Sequence, residues 1–375
     1  MLKKIVVIGP VYPYKGGISH YTGLLVRALR KSYETVCYSY SLQYPKLLFK
    51  REQKDYSNKS FMVEDTKYEI NTANPFNWGS VAKKIKEEKA DLVIISWWHP
   101  YFAPCYQGIC SHLKNIPIAF LCHNVLPHER FVFDSVLAKN TLKRAAFSIV
   151  HSEGDRKDFL DMLPAIPVYK QVHPTYNAFK MKDMGRDEAR AKLSLDETEP
   201  MILFFGYVRK YKGLDLLIKA MSGSKVRPRL YIVGDFGNDK EEYMSLIKEN
   251  GIEDTVCIKD GYVPDTEVEQ YFAAADLCVC PYRSATQSGI VQIAYGFGLP
   301  VIVTRVGGLP EVVDDNRTGY VVEPEDTDAL RSAIDRYFTE GRQEEFRSNV
   351  LAESERFSWD RMTETVEKAY EESVK

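Results

Sequence analysis

The sequence predicts an α/β protein of two domains, each a parallel sheet covered by helices. Three observations carry that prediction. Short runs that are apolar on both faces recur between longer amphipathic stretches. The alternation stops at a proline-bearing interruption and starts afresh after it. A chain of 375 residues is also too long for one ordinary core. The strand-like runs are IVVIG (5–9), ADLVIIS (90–96), IPIAFLC (116–122) and FSIVHS (147–152), then MILFFG (201–206), RLYIVGD (229–235), DLCVCP (276–281) and PVIVT (300–304). A strand buried on both faces shows a continuous apolar run rather than polar–apolar alternation, so these runs mark parallel strands between helices.

The elements follow in order. The opening MLKKIVVIGP reads as a first buried strand, since its five-residue apolar run is too short for a secretory signal. Gly16-Gly17 precede an amphipathic helix that should begin near Ser19. Residues 42–72 are polar, basic and aromatic and read as a long excursion on the surface of the first domain. Ser152-Glu153-Gly154-Asp155 follows a strand and resembles a capping box, which predicts a helix start. The segment 164–185 holds three prolines and no periodicity, placing a domain boundary near 174–182. Helical patterns then appear at 213–221 and 326–338.

Composition narrows the class. Hydrophobic residues make up 45% and charged residues 27%, the balance of a globular protein. No apolar run approaches the roughly 20 residues of a bilayer span, so the expected location is the cytoplasm. Seven cysteines without paired spacing fit free thiols in a reducing compartment, with Cys278 and Cys280 as core residues of one strand. His99, Cys105, Cys110 and His112 lie close together but match no zinc spacing, and no metal site is expected. Residues 1–175 carry 24 Lys+Arg against 15 Asp+Glu, and the remainder 26 against 37. That +9 against −11 split describes either an anion-facing first half or scattered surface charge. Nothing in the pattern points to nucleic acid.

Four stretches carry candidate chemistry. Gly16-Gly17 let a backbone approach a ligand at a helix N-terminus, although the spacing from Gly9 is not that of a dinucleotide fingerprint. His123, in Cys122-His123-Asn124 and followed by Pro127-His128-Glu129, stands at the carboxyl end of a strand, where a ring can donate to hydroxyls or take a proton. Gly206-Tyr207-Val208-Arg209-Lys210-Tyr211-Lys212-Gly213 sets Arg209 and Lys212 in a strand-to-helix loop, an arrangement suited to a diphosphate. The stretch Tyr282 to Gln292, with Ser284, Thr286, Gln287, Ser288, Gly289 and Ile290, offers hydroxyls, amides and N–H groups to phosphate and ribose. Gly307-Gly308 and Glu311 form another crevice loop or a tight turn before a helix.

These pieces together give the chain a resemblance to the family 4 retaining glycosyltransferases of the GT-B fold. The likeness runs through GGIS, the strand ending at His123, FFGYVRKYKGLDLL, IVGD, DGYVPDTEVEQYFAAADLCVCPY, GFGLPVIVTRVGGLPEVVDDNRTGYVVEPED and the closing FSWDRMTETVEKAY. It implies two Rossmann-like domains with sheets facing across a cleft. An acceptor-side domain would span 1–175, a donor nucleotide-binding domain 176–356, and a last helix, 357–375, would return to the first. Gly16 and Gly17 would approach donor phosphates or acceptor, and His123 the donor sugar. Arg209 and Lys212 would hold the diphosphate, Val263 would lie against the base, and Gly289 and Ile290 would offer N–H groups to the phosphates.

The resemblance also implies retention without a protein nucleophile, no metal and no cofactor, the nucleotide-diphosphate sugar being a substrate. The acceptor would be a glycan or a lipid-linked molecule in cell-envelope polysaccharide or glycoconjugate synthesis, with peripheral contact at an anionic membrane surface as one form. The chain departs from the family where its paired glutamates would fall, on Ser284 and Gln292. Gln292 retains donor and acceptor atoms for a ribose. Ser284 is too short to replace a carboxylate, leaving Thr286, Gln287 or Ser288 to face the sugar. Two rivals follow: a catalytically weak nucleotide-sugar-binding subunit, and a GT-B-like nucleotide-sugar epimerase.

Overall fold

The computed structural model describes residues 2–49, 52–56, 59–127 and 132–374. His128 and Glu129, singled out from the sequence, lie outside the described residues, as do Lys50 and Arg51 of the basic stretch 42–72. The chain divides into two compact units, residues 1–172 with 358–375, and 173–357.

The sheet of unit 1 is wholly parallel. Its strands are β1 (Lys4–Ile8), β2 (Glu34–Leu42), β3 (Lys67–Asn71), β4 (Leu92–Trp97), β5 (Ile118–Cys122), β6 (Phe147–Val150) and β7 (Val168–Lys170). They lie in the order β3-β2-β1-β4-β5-β6-β7, so the winding reverses between β1 and β4. All of β4, β5 and β6 is buried, as continuous apolar runs require.

Residues 42–72 are not wholly a surface excursion. They include the end of β2 and the edge strand β3, where only Ile70 is buried. A strand covered on one side alone has no reason to be apolar throughout. The first helix is Gly17–Leu29 and starts two residues ahead of Ser19. Ser152 caps helix Glu153–Met162 by accepting from the Asp155 N–H at 3.0 Å. Helix Trp359–Ser373 belongs to unit 1, and it buries Met362, Val366 and Ala369, one face at helical spacing.

Unit 2 repeats the plan with β8 (Met201–Phe205), β9 (Arg229–Gly234), β10 (Val256–Asp260), β11 (Leu277–Cys280), β12 (Val301–Thr304) and β13 (Gly319–Val322). The order is β10-β9-β8-β11-β12-β13, and the winding reverses between β8 and β11. Buried Arg190 secures the opposite end of this sheet. Its guanidinium meets Asp276 at 2.7 Å and donates to the carbonyls of Ala274, Asp196, Glu197 and Glu199. A buried cation so fully hydrogen-bonded is readily tolerated, whereas an unpaired one is costly. All seven cysteines are free thiols, and Cys278 and Cys280 are buried in β11. Among the described residues, no helix is long and apolar enough to cross a membrane.

Candidate functional site

In open parallel sheets ligands collect where the winding reverses, beyond the carboxyl ends of the strands. In unit 2 the loops after β8 and β11 meet at that point. The Arg283 N–H donates to the Tyr211 carbonyl at 2.6 Å, and Tyr211 and Tyr282 pack edge to face at 6.0 Å. The Arg283 guanidinium forks onto Asp215 at 2.8 and 2.7 Å and reaches Glu325 at 3.2 Å. Arg283 holds the Asp215 carboxyl below its ordinary range despite burial acting the other way. The fork sets the shape of the loop and leaves Arg283 neutralised.

Lys212 is different. It is buried, its ammonium lies 5.8 Å from the Tyr282 ring centroid, and among the described residues no carboxylate pairs with it. Loss of water pushes its pKa down to about 8, with Arg209 adding to the effect. Gly206, at φ 101°, explains the close packing. A Cβ there would stand 2.9 Å from the Lys212 Nζ and 3.5 Å from the Ile290 Cδ1. The ammonium and the start of helix Gly289–Gly296 therefore lie on either side of one bare backbone position.

Ser288 caps that helix, accepting from the Val291 N–H at 3.4 Å. One turn on, Gln292 is 1% exposed, and its Oε1 has no hydrogen-bond partner among the described residues. Buried polar atoms are nearly always satisfied, so an orphan near the start of this helix is what a ligand hydroxyl would complete. Gly307 fixes the neighbouring loop. At φ 49° its Cβ would come 1.7 Å from the Ala285 carbonyl oxygen, and Gly308 N–H donates to the Thr286 carbonyl at 2.8 Å.

The other predicted residues of this unit are more loosely grouped. Arg209 turns its guanidinium to its own loop, donating to the Val208 carbonyl at 3.0 Å and facing the Tyr207 ring. Ser284 is exposed in the bend beside Arg283, and Gln287 is half-buried. Val263 is buried after β10, at the edge strand of the same rim. Asp326 caps helix Thr327–Thr339, and Asp328 pairs with Arg331, so both carboxylates of the string Asp326-Thr327-Asp328 are occupied within the protein.

Unit 1 holds a second constellation. Gly16 is at φ 103° with no atom near its missing Cβ, and Gly17 begins the helix that carries Tyr21. His123 leaves β5 with its N–H on the Trp97 carbonyl at 2.8 Å and is 5% exposed. Its ring meets Tyr21 edge-on at 4.6 Å and lies 5.7 Å from His151. His151 holds the Gln171 carbonyl at 2.8 Å through Nδ1, and burial pushes its pKa down to about 4, so it is neutral near pH 7. Trp359 packs on Tyr21 at 5.0 Å. Tyr21, His151 and Trp359 were not singled out in the sequence. Of these, His151, directly after the apolar strand β6, carried a local signal. Among the described residues no group of three or more His, Cys, Asp or Glu could hold a metal ion.

Two Rossmann-type sheets of this order define the GT-B class. Solved structures agree on the fold over the whole chain. Anabaena HepE, in complex with UDP, superposes with a TM-score of 0.74 at 16% identity, covering 99% of this chain and 100% of that one. A glycosyltransferase from Rickettsia africae gives 0.74 at 18% identity, covering 100% and 99%. Residues 185–352, a segment of unit 2, match the family described as glycosyl transferases group 1. The D-inositol 3-phosphate glycosyltransferase of Acidothermus cellulolyticus is 28% identical over 207 residues, 52% of this chain and 46% of that protein. Its counterpart in Segniliparus rotundus is 32% identical over 185 residues, 46% and 40% of the two chains. The chain thus spans under half the length of these two curated relatives.

Proposed function

We propose that this protein transfers a hexosyl group from a nucleotide-diphosphate sugar to a glycan or lipid-linked acceptor, with retention and without a metal. One observation carries the reading: the Lys212 ammonium packs beside Gly206 with Ile290 of helix Gly289–Gly296, and the Gln292 Oε1 lies in that helix, both buried and, among the described residues, without an ion-pair or hydrogen-bond partner. Lys212, with Arg209 from the same loop, takes the diphosphate and stabilises it as it leaves. The N–H groups of Gly289 and Ile290 add a helix N-terminus, and Gln292 takes a ribose hydroxyl. Val263 lies against the base. His123, set by Tyr21, serves the sugar end, and Gly16-Gly17 the phosphates or the acceptor.

The acceptor is anionic in this reading and meets the protein at the inner face of an anionic membrane, in envelope polysaccharide or glycoconjugate synthesis. The basic first half supports it, and so does the phosphate-bearing acceptor in the relatives' name. Incubation with a panel of nucleotide-diphosphate sugars and phosphorylated or lipid-linked acceptors tests it, with product mass and anomeric configuration as readouts. Failure to bind any nucleoside diphosphate at millimolar concentration refutes the reading. Exposed Ser284, where the family places a carboxylate, favours a second one, a binding subunit. Nucleotide binding with neither transfer nor donor hydrolysis across the panel would select it.

A further inference from the structure

The large apolar side chains most exposed on this protein gather on one rim of unit 1. Leu47 and Leu48, after β2, are 87% and 64% exposed, and Phe76, after β3, is 93% exposed. Val132, Phe133 and Val136, where the chain enters helix Asp134–Leu142 after β5, are 87%, 71% and 53% exposed. Because β2, β3 and β5 run parallel in one sheet, these segments all leave from the same edge, the edge that also bears His123.

The base beneath the tips is well fixed. The Thr72 hydroxyl donates to the Gln43 carbonyl at 2.8 Å and meets the Tyr101 hydroxyl at 2.9 Å. Tyr44 stacks on Phe49 at 5.6 Å and packs on Tyr101 at 5.0 Å. Cations accompany the apolar tips: Lys46 precedes Leu47, and Lys139 lies one turn beyond Val136, both exposed. In sequence Lys50 and Arg51 follow Phe49.

We infer that this rim inserts into the interface of an anionic bilayer, with Leu47, Leu48, Phe76, Val132 and Phe133 as the penetrating groups. The inference rests on the membrane-surface reading above and adds to it a contact that salt does not screen. Protein partners are recognised by a continuous complementary patch, whereas separate tips on three segments, one of them the first turn of helix Pro75–Glu87, with lysines beside two of them, suit a fluid apolar phase beneath anionic headgroups. Docking this edge would bring the carboxyl end of β5, where His123 stands, toward the lipid surface.

Flotation of the full chain with phosphatidylcholine vesicles, with and without phosphatidylglycerol, at low and high salt provides the test. Wild type should float with anionic vesicles and keep a bound fraction at high salt. The variant Leu47→Ser/Phe76→Ser/Phe133→Ser should lose that salt-resistant fraction by at least about tenfold, the scale of one or two buried side chains, yet still bind at low salt. Circular dichroism and nucleoside-diphosphate affinity should match wild type, since these side chains touch neither core nor donor loops. Binding that salt abolishes in wild type and variant alike overturns insertion while leaving the membrane-surface reading standing. No flotation under any condition overturns both. Sedimentation showing a wild-type dimer that the variant loses would assign the rim to a second copy of the chain and overturn the inference.

Discussion

Replacing Lys212 by methionine separates what the lysine costs the empty protein from what it contributes to donor binding. Burial holds the ammonium at about 8 instead of the ordinary 10.5. At about 1.4 kcal/mol per pH unit, that lowering costs the folded, ligand-free state about 3 kcal/mol while the group is charged in both states. The unfolded lysine keeps its proton up to its ordinary value, whereas the folded one releases it near 8. The cost is therefore full below about pH 8 and fades as the pH rises toward 10.5. Methionine keeps the unbranched stem and removes the charge, so Lys212→Met without ligand should be more stable than wild type at pH 7. The gain should be up to about 3 kcal/mol, or several degrees in melting temperature. Nucleoside diphosphate should bind the variant at least about tenfold more weakly, the scale of a charge-assisted hydrogen bond. Wild-type affinity should also fall above pH 8, and the variant should not share that loss. Paired thermal melts and calorimetric titrations at pH 7 and 9 measure all three. A ligand-free variant that melts below wild type at pH 7, or equal nucleotide affinity in both, refutes the reasoning.

Two further substitutions probe the neighbouring roles. Gln292→Ala should weaken free nucleoside diphosphate and sugar nucleotide alike, by about 1–2 kcal/mol, since both carry the ribose that its Oε1 is proposed to meet; titration showing a loss confined to the sugar nucleotide would move the residue to the sugar. His123→Ala should lower turnover at least about tenfold, roughly 1.4 kcal/mol of barrier, with nucleotide affinity in unit 2 little changed; unchanged turnover in a folded variant would return the ring to a packing role against Tyr21.

The strands the sequence revealed are those covered on both sides, and the ones it concealed are mostly edges. β3 buries only Ile70, β7 is three residues long, and β10 has no buried residue, so none carries a continuous apolar signal. β2 escaped for another reason. Its buried run, Cys37-Tyr38-Ser39-Tyr40, looks polar until the Tyr40 and Tyr106 hydroxyls are seen to bond each other inside the core. The cluster around Lys212 was legible because its groups follow two strand ends. The setting of His123 was not, since Tyr21, His151 and Trp359 come from distant segments and only the fold makes them neighbours.

The return of helix Trp359–Ser373 to unit 1 has a consequence for biosynthesis. Unit 1 is discontinuous in the chain, and all of 173–357 is translated before the residues that complete it. At about 5–20 residues per second, the interval is about 10–40 s. Throughout that time the helix Gly17–Leu29 lacks the neighbour that Trp359 provides for Tyr21, and the surface destined for Met362, Val366 and Ala369 stays wet. Unit 2, continuous in sequence, can close first. A nascent chain should therefore present its longest chaperone-accessible intermediate in the half made earliest. A circular permutant that begins at Ser358 and joins Ser373 to Lys3 through a linker should shorten that exposure and leave the two sheets unchanged.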